Sequence, residues 1–540
     1  MMIPNTNGPI FIMKEGTERN QGRAAQSNNI AAAKAVADAI RTTLGPKGMD
    51  KMLVDEGGDV IITNDGATIL REMDIEHPAA KMIIEVAKTQ EQECYDGTTT
   101  AVILAGELLK KSEELVEQNI HPTVICSAFR KCGDQIQTTL DDLTMSDIDY
   151  LNIAKTALTG KSADSIKTFL GQICVDVVAA LDNNSRTTQL KGSVDLDLVN
   201  VVKAIGGEVQ DSTMYDGIIL PKERCHSGMP HRVNTPNILI TNSPIEVKTT
   251  EMDASIQITD PNQITAFLEQ EEKQIKDIVN LIVSKGINVV VCQKEIDDLA
   301  KHYFAKVNIL AIEKVKKSDI DALSLSTGAK IVTNLDDLKD DDSDYDLGQC
   351  YGAVEEKKVG EMPMIFFDDP VCGAVTLLLR GGTVPFVEEI ERAFDDAVGV
   401  VAVAWADNTI VTGGGSTFLA LSGALHKLSK ENSNGRERMA IEAFADALEI
   451  VPRTLIENAG LDPVDEMATL RNIHRNKKPT KEYTPTHYGV NVEGGVMDMA
   501  EAGICEPRRV VEQAIKSAIE TATMILRIDD VISSRKAGPQ

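Results

Sequence analysis

The chain has 540 residues, with 55 lysines and arginines against 83 aspartates and glutamates, a formal net charge of −28. Its 42% hydrophobic and 26% charged residues describe a globular protein, and its length predicts several domains. The charge argues against nucleic-acid partners, no apolar run approaches the ~20 residues of a membrane span, and nine cysteines without a C-x-x-C pair predict reduced, mostly buried thiols in a cytoplasmic protein.

Asn29 to Arg41 is rich in alanine, which loses no side-chain entropy on becoming helical, and Leu44-Gly45-Pro46-Lys47-Gly48 ends that helix. Lys51–Val54 and Val60–Thr63 flank Glu56-Gly57-Gly58-Asp59 in the pattern of a hairpin. A second glycine loop, Asn64-Asp65-Gly66-Ala67-Thr68, follows. A third, Asp96-Gly97-Thr98-Thr99-Thr100, opens a helix with Leu104, Leu108 and Leu115 on one face.

From Asp211 to about Cys372, short β-rich runs such as Ile238-Leu239-Ile240 and Val289-Val290-Val291 alternate with helices, an α/β pattern. One amphipathic segment begins at a cap, Asp260-Pro261-Asn262-Gln263. It continues through Ile264, Phe267, Leu268, Ile275, Ile278, Val279 and Ile282 to Lys285-Gly286. At ~1.5 Å per residue this helix is roughly 35 Å long, which suits either a protruding arm or a core helix. Asp336-Asp337 and Asp340 to Asp346 read as an acidic loop. Past Val411 come Gly413-Gly414-Gly415, a helix from Ala440 to Ile450, and a basic loop from Arg471 to Lys481. Glycine loops near both ends predict one domain assembled from both termini, with the α/β middle inserted.

Phosphate binding needs inward-facing backbone N–H groups, and a helix N-terminus adds a favourable dipole. Asp96-Gly97-Thr98-Thr99-Thr100 offers those donors, three hydroxyls and a carboxylate. Magnesium commonly takes one or two carboxylates plus phosphate oxygens, so Asp96 with Asp65 is a chemically sensible pair. Asp96 as a plain helix cap is the alternative. No G-x-x-x-x-G-K-[ST] sequence occurs, so the site is not of the Walker type.

Leu44-Gly45-Pro46-Lys47-Gly48-Met49-Asp50-Lys51-Met52-Leu53, Thr63-Asn64-Asp65-Gly66, Asp96-Gly97-Thr98-Thr99-Thr100-Ala101-Val102 and Val411-Thr412-Gly413-Gly414-Gly415-Ser416 resemble the signature segments of the group II chaperonins, the archaeal thermosome subunits in particular. Ile84 to Gln90, Gln293 to Ala305 and Arg527 to Ile532 add to the resemblance, which runs through nearly the whole chain in order.

The resemblance implies a multi-domain subunit of an ATP-dependent chaperone. Residues 1–148 and 406–540 would form a mainly α-helical equatorial ATP-binding domain, discontinuous in sequence. Residues 149–219 and 373–405 would form an α/β hinge domain. Residues 220–372 would form an α/β apical substrate-binding domain with a helical lid protrusion at about 245–285. The implied ligands are ATP and Mg²⁺, and the implied partners are unfolded protein clients and identical or homologous subunits in a hexadecameric double ring. Gly45 and Gly97, Thr98, Thr99 and Thr100 would contact phosphates, Asp96 would hold Mg²⁺, and Asp65 would lie at the metal and water end. Gly414, Gly415 and Glu506 would contact the nucleoside, and Lys161 would sense the γ-phosphate. On the helix through Arg392-Ala393-Phe394-Asp395-Asp396-Ala397, periodicity puts both aspartates on the polar side, and the family pattern assigns the attacking water to Asp396.

Family members usually carry glycine before this Asp-Gly-Thr-Thr-Thr segment, where this chain has Tyr95. The tyrosine either crowds the phosphate loop, giving a nucleotide-binding holdase with weak ATPase, or keeps negative φ and points away. The second outcome is the expected one, because Asp96 and all three threonines are present.

Overall fold

The computed structural model describes residues 17–54, 58, 60–161, 166–184, 194–246, 261–339, 347–432, 434–476 and 484–534. They divide into two compact units, residues 1–161 with 407–540, and residues 162–406.

The first unit is helical. Thr98–Glu117 is buried at Thr98, at every position from Ala101 to Gly106, and at Leu108 and Leu109. A helix apolar on nearly every side belongs at the centre. Arg23–Ile40, Pro78–Cys94, Gly435–Leu448 and Arg508–Leu526 pack around it. The core is aliphatic apart from pairs such as Phe129 and Phe444, edge to face at 5.1 Å. Thr17–Gln21 pairs antiparallel with Asp530–Ser534, which ties the two ends of the described chain together. Just past the re-entry at 407, Ile410 bridges Met145, and Ile410–Thr412 pairs with Cys505–Pro507.

The expected hairpin is present, with Lys51 opposite Thr63 and Val54 opposite Val60. Two other expectations need correction. The helix read from Ala440 to Ile450 is two helices, Gly435–Leu448 and Ile450–Asn458. Pro452 has no N–H to give the Leu448 carbonyl four residues back, and its ring would clash there. Arg471, read as the start of a basic loop, lies in the last turns of the helix Pro463–Asn476. Its guanidinium Nε donates to Glu449 at 2.9 Å, and Ser422 Oγ donates to the same carboxylate at 3.1 Å. Lys477 to Lys481, Asp340 to Asp346, the cap at Asp260 and the hairpin turn at Glu56 lie outside the described residues.

The second unit contains two sheets. One is six-stranded, in the order Val199–Ile205, Val375–Gly381, Thr213–Leu220, Met362–Asp368, Val354–Val359, Arg232–Val233. Its first pair is parallel and the rest antiparallel. The other is five-stranded. Ile331–Val332, Asn237–Thr241, Val289–Cys292 and Leu310–Ile312 run parallel, and Gly348–Gln349 is antiparallel at its edge. Strand side chains alternate between faces, and here both faces are covered. Ile238, Ile240, Val289 and Val291 meet Ile218, Leu220, Ile365 and Phe367 of the six-stranded sheet. Leu239, Val290 and Cys292 meet Ile275, Val279, Ile282 and Phe304 of two helices, Pro261–Ser284 and Asp298–Lys306.

The C-terminal half of Pro261–Ser284 is therefore core, and Ile245, which bridges Ile296, is buried in the same cluster. Tyr303 donates its hydroxyl to Glu272, and Lys276 pairs with that carboxylate at 2.8 Å. The side chains of Ile264, Phe267 and Leu268 lie outside the described residues. Among the described residues no helix is long and apolar enough to cross a membrane.

Candidate functional site

Four turns of the first unit come together, and small residues let them touch. Gly66 begins the helix Gly66–Glu72, and a Cβ on it would stand 2.5 Å from Thr99 Oγ1 and 3.3 Å from Thr98 Oγ1. Any side chain here would have to displace Thr99 Oγ1, with the Thr99 amide nitrogen only 3.2 Å away. Asp65 caps that helix by accepting from the Thr68 N–H at 2.7 Å. Its neighbour Asn64 donates Nδ2 to the Gly160 carbonyl at 2.6 Å, bringing the Thr159-Gly160-Lys161 turn to the same place. Gly45 lies at φ +83°, and the carbonyl of Leu44 before it accepts from Asn458 Nδ2 at 2.8 Å.

Gly97, at φ +78°, is the N-cap of Thr98–Glu117. Glycine takes this left-handed conformation without a Cβ penalty, and it turns the first amides of the helix outward ahead of any intrahelical partner. Thr98 is buried, while Thr99 and Thr100 are half-buried. The Gly97 N–H donates to Asp96 Oδ1 at 2.7 Å, and Gln90 Nε2 donates to the Asp96 carbonyl at 2.9 Å.

Tyr95 departs from expectation. It is the C-cap of Pro78–Cys94 at φ +58° and ψ 0°, a left-handed conformation rather than the ordinary negative φ. Its N–H closes the helix on the Glu91 carbonyl at 3.0 Å. The tyrosine thus follows a path that glycine would follow more cheaply, and the Asp96 loop closes with it in place.

On the other side, Gly414 and Gly415 are both left-handed, at φ +60° and +74°, and Gly415 caps Ser416–Glu431. The Gly413 N–H donates to the Ile504 carbonyl at 2.9 Å, and Val411 pairs with Glu506.

The electrostatics join these pieces. Burial raises the Asp96 carboxyl above its usual range, the Lys161 ammonium and the Gly97 N–H oppose that, and the Asp65 charge adds to it. The Glu506 carboxyl is pushed up to about 8 by burial and by repulsion from Asp96. Burial is the largest cause at both carboxyls, and at Asp96 the Lys161 charge outweighs that of Asp65. Asp65 and Asp96 lie close enough to interact, and paired carboxylates of this kind can hold a cation. Among the described residues no cluster of three or more histidine, cysteine or carboxylate ligands forms a metal cage. An ion with one or two protein carboxylates and the rest of its shell from phosphate and water is consistent with that, and magnesium binds in this way.

Asp396 belongs to the second unit, on the helix Val384–Asp407. Ile390, Phe394 and Ala397 are buried as the stripe predicted, Asp395 is exposed and Asp396 half-buried. All nine cysteines are free, and burial pushes the Cys94 thiol up to about 12, so it is no nucleophile at neutral pH.

Sequence reasoning assigned no role to Gln90 or Asn458. Gln90 did leave a signal, as a polar residue in the stripe Ile83, Val86, Ala87, Gln90, Cys94, all of which are buried. Asn458 left none, because its Nδ2 reaches the carbonyls of Arg41 and Leu44, more than 400 residues away in sequence.

The TCP-1/cpn60 chaperonin family profile matches residues 36–536. The chain is 51% identical over 537 residues to thermosome subunit beta of Methanothermobacter thermautotrophicus, covering 98% of this chain and 96% of the relative. It is 50% identical over 545 residues to a thermosome subunit of Methanopyrus kandleri, covering 99% and 96%. A thermosome subunit of Pyrococcus abyssi is likewise 50% identical over 537 residues, covering 98% and 94%. Full-length identity at this level, on a chain whose glycine turns meet around shared carboxylates, is decisive: the chain belongs to the TCP-1/cpn60 chaperonin family, and it is a group II chaperonin, an ATP-dependent chaperone.

Proposed function

We propose that the first unit binds Mg²⁺–ATP and that its hydrolysis drives closure of a chamber around unfolded protein. The observation that carries this reading is the contact of Gly66 with Thr98 and Thr99, which sets Asp65 beside Asp96 at the start of a buried helix. The amides and hydroxyls of Gly97 to Thr100, with Gly45, would cradle the phosphates. Asp96 would hold the magnesium ion, with Asp65 at its metal and water end. Magnesium, when bound, neutralises phosphate charge and offsets the repulsion among the carboxylates. Lys161, which already opposes the Asp96 charge, would extend to the γ-phosphate. Gly414 and Gly415 would border the nucleoside, and Glu506, largely protonated at neutral pH, can donate to it.

Within this reading residues 149–219 and 373–405 act as a hinge, and residues 220–372 hold clients, with a lid in the 245–285 segment. Subunits assemble into a hexadecameric double ring. Asp396 orients the attacking water, which is the main contribution a carboxylate makes to phosphoryl transfer. The bonds that fix Asp96 with Tyr95 in place favour a hydrolysing subunit over a holdase with weak ATPase.

The test is Asp396→Ala. Hydrolysis should fall by on the order of 10²–10⁴-fold while nucleotide binding persists. Hydrolysis at the parental rate would remove Asp396 from the mechanism.

A further inference from the structure

We propose that Gln90 is a positioning residue for hydrolysis, setting the orientation of the Asp96 carboxylate through the peptide bond between Asp96 and Gly97. The proposal rests on the reading that Asp96 holds magnesium.

Gln90 is 0% exposed and lies on the apolar stripe of Pro78–Cys94, where the neighbouring stripe positions are aliphatic or cysteine. Its Nε2 instead donates to two carbonyls, Asp96 at 2.9 Å and Val510 at 3.1 Å. These belong to the loop entering Thr98–Glu117 and to the first turn of Arg508–Leu526. With Nε2 committed to two acceptors, Oε1 points away, buried and without a hydrogen-bond partner among the described residues. The orientation of the amide is thus set by the two carbonyls that Nε2 holds.

The connection to Asp96 follows from peptide geometry. A trans peptide is planar, so its C=O and N–H point in opposite directions. Gln90 holds the Asp96 carbonyl, and the Gly97 N–H on the far side of the same plane meets Asp96 Oδ1 at 2.7 Å. The glycine that the loop needs for its left-handed turn also makes this peptide easy to flip, because glycine occupies both signs of φ. A flip would take the N–H away from Oδ1 and release the carboxylate. Gln90 removes that freedom from within the core.

The test uses Gln90→Met, which keeps length and bulk but has no donor, and Gln90→Glu, which can donate only when protonated. In Gln90→Met, kcat for ATP should fall by roughly 10- to 100-fold, since a ~1 Å misplacement costs ~10²-fold in a positioned reaction. KM for ATP should stay within about threefold. The Mg²⁺ concentration for half-maximal hydrolysis should rise by about tenfold, and the extra thermal stabilisation that ADP gives with Mg²⁺ over ADP with EDTA should shrink. Gln90→Glu should recover kcat relative to the parent as pH falls and lose it as pH rises. If Gln90→Met fails to fold, that pH profile carries the test alone. Parental kcat and Mg²⁺ requirement in Gln90→Met, or a kcat loss with the Mg²⁺-dependent stabilisation intact, overturns the proposal. Asp96→Asn separates the two ideas. If it keeps the parental Mg²⁺ requirement, the magnesium reading fails. If it loses it while Gln90→Met does not, only the role of Gln90 fails.

Discussion

Replacing Tyr95 by alanine and by glycine in parallel measures the strain at the residue beside the Asp96 loop. Tyr95 sits at φ +58°, where a side chain costs ~1–2 kcal/mol relative to ordinary backbone. Alanine retains that cost. Glycine escapes it but gives back roughly 0.5–1 kcal/mol through the greater freedom of its unfolded chain. The glycine variant should therefore be more stable than the alanine variant by about 1 kcal/mol, or about 2 °C in thermal midpoint for a domain of this size. Turnover should barely respond. The Tyr95 N–H bond to Glu91, the Gly97 N–H bond to Asp96 and the Gln90 bond to the Asp96 carbonyl all form with tyrosine present. Steady-state ATPase of the glycine variant should thus lie within about twofold of the parent, against the ~10²-fold that a ~1 Å displacement of the loop would release. Equal melting of the two variants would refute the left-handed backbone, and a glycine variant faster by tenfold or more would mean that the tyrosine distorts the loop.

Arg471→Met should destabilise the first unit by about 2 kcal/mol, because it leaves the Glu449 carboxylate, 5% exposed, with Ser422 as its donor among the described residues. That is below the ~3–5 kcal/mol of a fully buried pair because the arginine is 44% exposed, and adding Glu449→Gln should recover most of it in chemical denaturation. Deleting residues 245–285 should unfold the second unit, since Ile245, Ile275, Val279 and Ile282 are core and each such loss costs roughly 2 kcal/mol or more. Excising only 247–268 should leave that unit resistant to protease while its chamber stays open to protease with ATP bound; a folded 245–285 deletion would show that the packing of Pro261–Ser284 is dispensable.

What the sequence disclosed depended on how local the cause was. The hairpin at Lys51 to Thr63 and the helix after Asp96 follow from alternation, turn chemistry and helical spacing within a few residues, and the structure has both. The break after Leu448 is equally local, in the missing N–H of Pro452. The amphipathic stripe from Ile264 to Ile282 fixed a helix without saying what its apolar face meets. That partner is the face of the two strands that flank the helix in sequence, Asn237–Thr241 and Val289–Cys292, which pair in parallel and are crossed by it. At Tyr95 residue type argues for negative φ, whereas closing the helix on Glu91 and redirecting the chain into Gly97 requires the opposite sign. Charge proximity left no local trace. Nothing in the spacing of Asp96 and Glu506 announces that one raises the other, since they come from opposite ends of the chain and only the packing of the first unit brings them together.

The site's construction links its geometry to its charge. Without side chains, Gly66 and Gly97 let two loops and a buried helix approach more closely than ordinary residues allow, and that approach buries Asp96 where the charges of Lys161 and Asp65 reach it and where it acts on Glu506. Packed carboxylates in a partly desolvated place repel, and protonation of Glu506 is the protein's own means of relieving the repulsion. A divalent cation relieves it further, and a polyphosphate satisfies the outward amides that the same close packing leaves ahead of the helix. Neither ligand alone meets both demands: the anion would add to the carboxylate charge, and the cation would leave the amides unused. The arrangement therefore favours the pair over either part, which is the reason to expect metal and nucleotide to bind together here.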